Sequence, residues 1–163
     1  MPIQIIWGND LNATNQFIQK LIEKKVSKAW GAINISHFNG DDDDQIKQAF
    51  EDTLTPPLGD GSRVIVLKNN PIFTDKNEEL RIKFEKIYEN IPSNTFFILQ
   101  NAKKPDTRLK STKFIKNLIK QNLAIETSFS LPGIWDYEGQ KNYIEVAANS
   151  MNINLDKGAV ELI

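Results

Sequence analysis

Apolar positions along the chain follow two different spacings. Short runs rich in apolar and β-branched residues predict five β-strands, at residues 2–7, 32–38, 64–67, 95–99 and 123–127. Between these runs, apolar residues recur every three or four positions, which is typical of amphipathic helices. Strands that alternate with helices predict an α/β fold, in which a five-stranded, mostly parallel sheet carries helices on both faces.

Polar residues beside the apolar stretches predict where the helices begin. Asn9 or Asp10 can cap the first helix. Four consecutive aspartates, residues 41–44, lead into the second helix, where negative charge favours the helix dipole. Asp75, with Glu78 three residues later, is similar to a capping box and predicts the start of a third helix.

The turn before the third strand combines two features that make opposite demands. The strand at 64–67, Val-Ile-Val-Leu, is continuously apolar, which predicts that both of its faces are covered. Just before it, Pro56 and Pro57 end the second helix and leave Leu58 at an exposed corner. Leu58 either presents an apolar contact there or folds back onto Leu54, and the residues alone leave both alternatives open.

The pattern changes after the fifth strand. Residues 131–135, Leu-Pro-Gly-Ile-Trp, are linker-like, and helical patterns follow at 138–151 and 156–163. We therefore expect an α/β domain at residues 1–130, and a linker with the start of a truncated helical domain at 131–163. No Gly or Asn cap follows the last helical pattern, so we expect a fragment of a longer protein; a helix that frays at a natural end is the alternative.

Length and composition narrow the class of protein. The 163 residues suffice for one core that buries about 70% of the unfolded surface. Twenty basic and 21 acidic residues give a net charge of −1, which argues neither for nor against a polyanionic partner. The absence of cysteine excludes disulfides, Cys-based zinc sites and a thiol nucleophile. With neither a secretion signal nor a long apolar segment, we expect a soluble, cytoplasmic protein that does not enter a membrane.

An α/β sheet whose first strand ends at a glycine raises the question of nucleotide binding. A phosphate loop, G-x-x-x-x-G-K-[ST], counted from Gly8 requires Gly, Lys and Ser or Thr where the chain has Ala13, Thr14 and Asn15. The third strand is followed by Lys-Asn-Asn at 68–70, where acidic residues would hold magnesium. The sequence therefore predicts a degenerate phosphate loop and no phosphoryl transfer, and we expect no cofactor.

Other catalytic and metal-binding groups are sparse. His37, the single histidine, falls at the end of a predicted strand, where we expect a structural or solvent-facing role. The aspartates at 41–44 could bind a divalent cation, but consecutive residues at a helix start point in different directions. We expect no catalytic residue and no metal site.

One loop and helix carry a cluster of basic residues that could contact phosphate groups. An ordinary lysine-rich helix surface is the alternative. The cluster comprises Lys103, Lys104, Arg108, Lys110, Lys113, Lys116 and Lys120.

Four segments, in this order and spacing, give the chain a family resemblance. They are the first strand with Gly-Asn-Asp and a helix, the block TPPLGDGSRVIVL, the strand FFILQNA, and the segment PDTRLKSTKFIKNL. Together they resemble the delta subunit of the bacterial DNA polymerase III clamp loader. The resemblance implies an AAA+-like first domain without a working phosphate loop, in a non-ATPase subunit of a DNA polymerase holoenzyme.

The resemblance also implies partners and a contact site. The implied partners are the beta sliding clamp, the other clamp-loader subunits and, within that complex, primed DNA. In the family, two adjacent apolar residues at the tip between the second helix and third strand contact the clamp. Here that tip is Pro56-Pro57-Leu58, where Leu58 matches the larger apolar residue and the ring of Pro57 departs from a flexible aliphatic side chain. Lys103, Lys104, Arg108 and Lys110 are the candidates for contact with DNA or another partner.

Two alternative functions remain open at this stage. A nucleotide-binding module or enzyme would need a polar pocket at the carboxyl ends of the strands. A DNA-binding α/β module would use the basic loop and helix. The residues available for the polar pocket are Gly8, Asn9, Asn69, Asn70 and Asn101.

Overall fold

A computed structural model describes residues 2–154, which divide into a first unit that ends at Phe129 and a second that starts at Ser130. The strands are β1 Ile3–Trp7, β2 Ile35–Asn39, β3 Arg63–Lys68, β4 Thr95–Asn101 and β5 Ala124–Ser128. The helices of the first unit are α1 Leu11–Lys25, α2 Gly31–Asn34, α3 Asp43–Thr53, α4 Glu78–Tyr88 and α5 Lys110–Lys120, with short 3-10 turns at Lys28–Trp30 and Pro71–Phe73.

The five strands form one sheet in the order β2-β3-β4-β1-β5, and every neighbouring pair is parallel. The predicted five-stranded α/β sheet is confirmed. The prediction of a strand at 32–38 is wrong in its first half, because Gly31–Asn34 forms a helical turn before β2. Asn34 is buried there and hydrogen-bonds across the fold, and this tertiary contact overrides the local β pattern.

Helices cover both faces of the sheet, as predicted. On one face, the strand residues Ile65 and Phe97 pack in a cluster with Phe50 of α3 and Phe84 of α4. On the other face, β-strand valines and isoleucines pack against Ile18 and the rest of the apolar stripe of α1. The continuously apolar β3 is buried on both sides because it lies in the interior of the sheet.

Side chains cap the N-termini of several helices, among them α1 and α4. Asp10 caps α1, since its Oδ1 accepts a hydrogen bond from the Ala13 N–H at 2.9 Å. The prediction that Asp75 opens the third long helix is wrong. The Asp75 N–H instead donates to the Pro71 carbonyl just after the 3-10 turn, so α4 starts two residues later, with the Asn77 side chain as its cap.

The second unit contains α6, Tyr137–Ser150, whose N-terminus is capped by Asp136 accepting from the Gly139 N–H. The helix predicted at 138–151 therefore exists, displaced by one residue. The further helix predicted at 156–163 and the expected cut inside it lie outside the described residues. Among residues 2–154 no helix has the length and apolarity that a bilayer crossing demands.

Candidate functional site

The turn that joins α3 to β3, residues 54–62, is the candidate contact site, and we call it the tip. The α3 helix ends at Thr53, and Pro56 is exposed just beyond it. Leu58 is 52% exposed and Leu54 is 42% exposed. Neither leucine belongs to the two apolar clusters of the first unit. The tip therefore presents apolar surface to its surroundings.

The backbone of the tip is held in place although its leucine side chain is exposed. Asn34, which is fully buried, accepts from the Leu58 N–H and donates to the Leu58 carbonyl, both at 2.9 Å. The next residue, Gly59, has φ +68° and lies so close to the Trp30 indole that a Cβ would be 2.3 Å from the ring. Trp30 thus requires glycine at position 59.

An ion pair fixes the base of the tip. The Arg63 guanidinium donates to Asp52 at 2.8 Å and to the Ile33 carbonyl at 3.0 Å, with only 10% of its side chain exposed. The Ser36 hydroxyl donates to the same Asp52 oxygen at 2.8 Å. These contacts join the end of α3, the start of β3 and the turn of α2, so the elements on either side of the tip are tied together.

The first strand ends at a glycine that packs tightly against the chain beyond β5. Gly8 has φ +143°, and a Cβ there would lie 1.7 Å from the Phe129 carbonyl oxygen. The Gly8 N–H donates to Asn101, and the Asp10 N–H donates to Phe129, each at 3.1 Å to the backbone oxygen. Backbone donors that would cradle phosphate in a working loop are therefore paired with protein carbonyls.

The remaining phosphate-loop positions, 13–15, lie in the first turns of α1. The Ala13 N–H is taken by the Asp10 cap. Thr14 is buried, and Asn15 is exposed. This part of α1 offers no cation to a phosphate group.

Two of the asparagines at the carboxyl ends of the strands, Asn70 and Asn101, come together and bond to each other. The side chains of Asn70 and Asn101 form a hydrogen bond, and Asn101 also donates to the Asn70 carbonyl at 2.8 Å. Asn69, with φ 51°, donates to Asp41 at 2.9 Å. These amides serve mainly to connect the ends of β3, β4 and the start of α3.

The basic residues line two different concavities. Arg108, Lys110 and Lys113 line a cleft of about 510 Å³ between the starts of α4 and α5. Lys104 instead lies over the Trp7 ring, 5.5 Å from its centre, and lines a different concavity with Lys116. Lys103 is exposed on the same loop.

Carboxylates balance part of the charge in the first of these clefts. Arg108 binds Asp106 at 2.7 Å, and Lys110 lies 3.4 Å from Glu78. Hydrogen bonds from Arg108 lower the pKa of the Asp106 carboxyl to about 2. The cleft is therefore less positive than its cations alone indicate.

His37 and the aspartates hold local structural roles. Burial, and then the charge of Lys68, lower the pKa of His37, which favours a neutral side chain on the edge strand β2. Asp42 caps α3 by accepting from the backbone of Asp44, and Asp44 pairs with Lys47. Within residues 2–154 no three metal-binding side chains gather in one place.

A family model described as "DNA polymerase III, delta subunit" matches residues 5–125 of this chain. The chain belongs to that family. The delta family assignment thus covers most of the sheet, the tip and the basic loop. The fold resembles that of the Bacillus subtilis DNA clamp loader delta protein, with a TM-score of 0.74 at 18% sequence identity. That match covers 99% of this chain and 47% of the other, so this chain spans about half of that delta protein. No curated protein sequence matches.

Two residues that shape the tip of this delta family member were not identified from the sequence. Asn34 and Trp30 lie in the segment before β2, more than twenty positions from the tip residues that they contact, Leu58 and Gly59. The only available signal was an asparagine inside a predicted strand, a position where asparagine is uncommon. Asparagine is frequent throughout the chain, so that signal was weak.

Proposed function

We propose that this protein is a non-ATPase clamp-loader subunit that binds the beta sliding clamp and opens its ring, or holds the ring open, for loading onto primed DNA. Membership of the delta subunit family supports this role. The single observation that supports the contact site is that the apolar side chain of Leu58 is exposed while its backbone is held in place. Pro56, Pro57 and Leu58 form the proposed contact.

The physical basis of the contact is a stiff apolar projection. Two prolines restrict the backbone of the tip, and the hydrogen bonds to Leu58 restrict it further. A projection that is already ordered loses little conformational entropy on docking, so more of the apolar burial contributes to affinity. A single leucine in a pocket of the partner can then contribute a few kcal/mol, as side chains at the centre of an interface do.

Ring opening by this route needs no bond chemistry. The subunit would bind the open form of the clamp interface more tightly than the closed form, and the difference in affinity shifts the equilibrium towards the open ring. No side chain of the tip has to act as an acid or a base. ATP would act at other subunits of the complex.

In this proposal, the parts of the chain outside the tip serve in assembly of the clamp-loader complex. We assign residues 1–130 to an AAA+-like domain with a degenerate phosphate loop, and residues 131–163 to a linker and the start of a helical domain. The paired backbone donors at Gly8 and Asp10 support the degenerate loop. Other clamp-loader subunits and primed DNA are partners through the complex, and Lys103, Lys104, Arg108 and Lys110 are candidates for those contacts.

Titration against the cognate beta clamp by calorimetry tests the contact. We expect Leu58→Ala to weaken binding at least tenfold, which is about 1.4 kcal/mol, because the exposed side chain is lost from the interface. Leu11→Ala is the matched control, since Leu11 is 57% exposed at the start of α1 and lies outside the tip. Equal binding by wild type and Leu58→Ala would contradict the proposed contact.

A further inference from the structure

The backbone and the side chain of Leu58 lie in different environments. Both backbone polar groups of Leu58 face Asn34, at 2.9 Å each, while the side chain is half exposed. The pairing imitates one rung of a β-ladder, with an amide side chain in place of a second strand. Because Asn34 is fully buried, it can fix Leu58 without itself reaching a partner protein.

The amide of Asn34 suits this task in a way that few side chains could. Its oxygen can accept and its NH2 group can donate in a single plane, and Leu58 uses both groups. A buried polar group must find partners or it costs free energy, so Asn34 and Leu58 constrain each other. Arg63 holds the neighbouring carbonyl of Ile33, which keeps the short α2 turn in place beneath the tip.

We propose that Asn34 is a positioning residue for the clamp contact. It fixes the Leu58 backbone in the docking conformation before the clamp is met, and it does not touch the clamp. This inference rests on the proposed function of the tip. Asn34 would act by pre-organisation. Without Asn34 the tip samples several conformations, and docking then has to select one of them at a cost in binding free energy.

A double-mutant cycle on the full chain separates this role from a general loss of stability. The variants are Asn34→Leu, Leu58→Ala and the double substitution, each titrated against the cognate beta clamp. We expect Asn34→Leu to weaken binding about tenfold on its own. In the Leu58→Ala background we expect less than a twofold further loss, because there is no longer a leucine side chain to position.

Ser111→Ala is the matched control for stability. The Ser111 hydroxyl is buried and donates to the Ile72 carbonyl at 2.6 Å, in the first turn of α5 rather than at the tip. Its loss deletes a buried side chain to backbone hydrogen bond, as the Asn34 substitution does. We expect Ser111→Ala to lower the unfolding midpoint while clamp affinity stays within twofold of wild type.

The outcomes distinguish the inference from the function on which it rests. If Leu58→Ala binds as wild type does, the proposed function of the tip fails. If Leu58→Ala loses tenfold but Asn34→Leu stays within twofold, the function stands and the positioning role is overturned. Additive losses in the double variant also overturn it, since they indicate an effect that does not pass through Leu58.

Amide hydrogen exchange of the wild-type protein provides a second test that does not depend on whether Asn34→Leu folds. We expect the Leu58 amide to be protected, because its N–H donates to the Asn34 side chain. The Gly59 amide provides an internal reference on the same exposed turn. A Leu58 amide that exchanges at the rate of an unstructured peptide would overturn the proposal.

Discussion

Replacing Gly8 with alanine tests how closely the chain packs where β1 meets α1. The added Cβ would lie 1.7 Å from the Phe129 oxygen and 2.4 Å from its carbonyl carbon, so the backbone of Phe129 has to move. That movement breaks two hydrogen bonds, from the Asp10 N–H to the Phe129 oxygen and from the Phe129 N–H to the Trp7 oxygen. Each is worth about 1 kcal/mol.

Backbone conformation adds to this cost. Gly8 has φ +143°, a value that side-chain-bearing residues adopt only with strain of about 1–3 kcal/mol. We therefore expect Gly8→Ala to lower the free energy of unfolding by about 3–5 kcal/mol, a large share of the roughly 5–15 kcal/mol typical of a domain. Urea unfolding followed by circular dichroism measures the change.

Gly133→Ala is the control for the Gly8 experiment. It makes the same chemical change at a position where a Cβ would meet no atom within 4 Å. We expect its free energy of unfolding to stay within about 0.5 kcal/mol of wild type. A Gly8→Ala protein that loses less than about 1 kcal/mol would refute the reasoning, since the hydrogen bonds alone exceed that value.

Two further predictions concern a helix start and a titrating group. Asn77→Ala should lower the free energy of unfolding by about 1 kcal/mol, because the Asn77 side chain accepts from the Leu80 N–H. Asp75→Ala should change the free energy of unfolding by less than about 0.5 kcal/mol. If urea unfolding shows a larger loss for Asp75→Ala than for Asn77→Ala, the assignment of the cap is wrong. The pKa of Asp106 is about 2, below the ordinary 3.8, so its pairing with Arg108 stabilises the fold above pH 4 and is lost as pH falls towards 2. Carboxyl NMR titration should show this pKa rising towards 3.8 in Arg108→Gln, and a wild-type midpoint near 4 would contradict the pairing.

Much of the α/β unit was predictable because its signals are local. Strand β3 is apolar at every central position, and a buried interior strand requires that pattern. The stripe on α1 that includes Ile18 and Ile22 follows the helical period, so its buried face was also evident. Asp10 caps α1 through a contact only three residues away, which is why its role could be inferred.

The features that sequence reasoning missed depend on distant contacts. Asn34 and Leu58 are 24 positions apart, so no local pattern reports their pairing. The helical turn at Gly31–Asn34 exists in a segment whose composition favours a strand, because Asn34 and the Ile33 carbonyl have partners elsewhere in the fold. Likewise, the Asp75 N–H bonds to the Pro71 carbonyl of the turn at Pro71–Phe73, and α4 starts later than the sequence predicted.

The tip has a consequence for attempts to copy it. A synthetic peptide of residues 53–62 would contain Leu58 but neither Asn34 nor Trp30, which hold its backbone from outside that stretch. Such a peptide would compete only weakly for the proposed clamp contact, because most of its molecules would not have the shape found in the intact protein. Inhibitors that mimic this surface, and transplants of it into other scaffolds, must therefore reproduce a discontinuous epitope that includes the α2 turn.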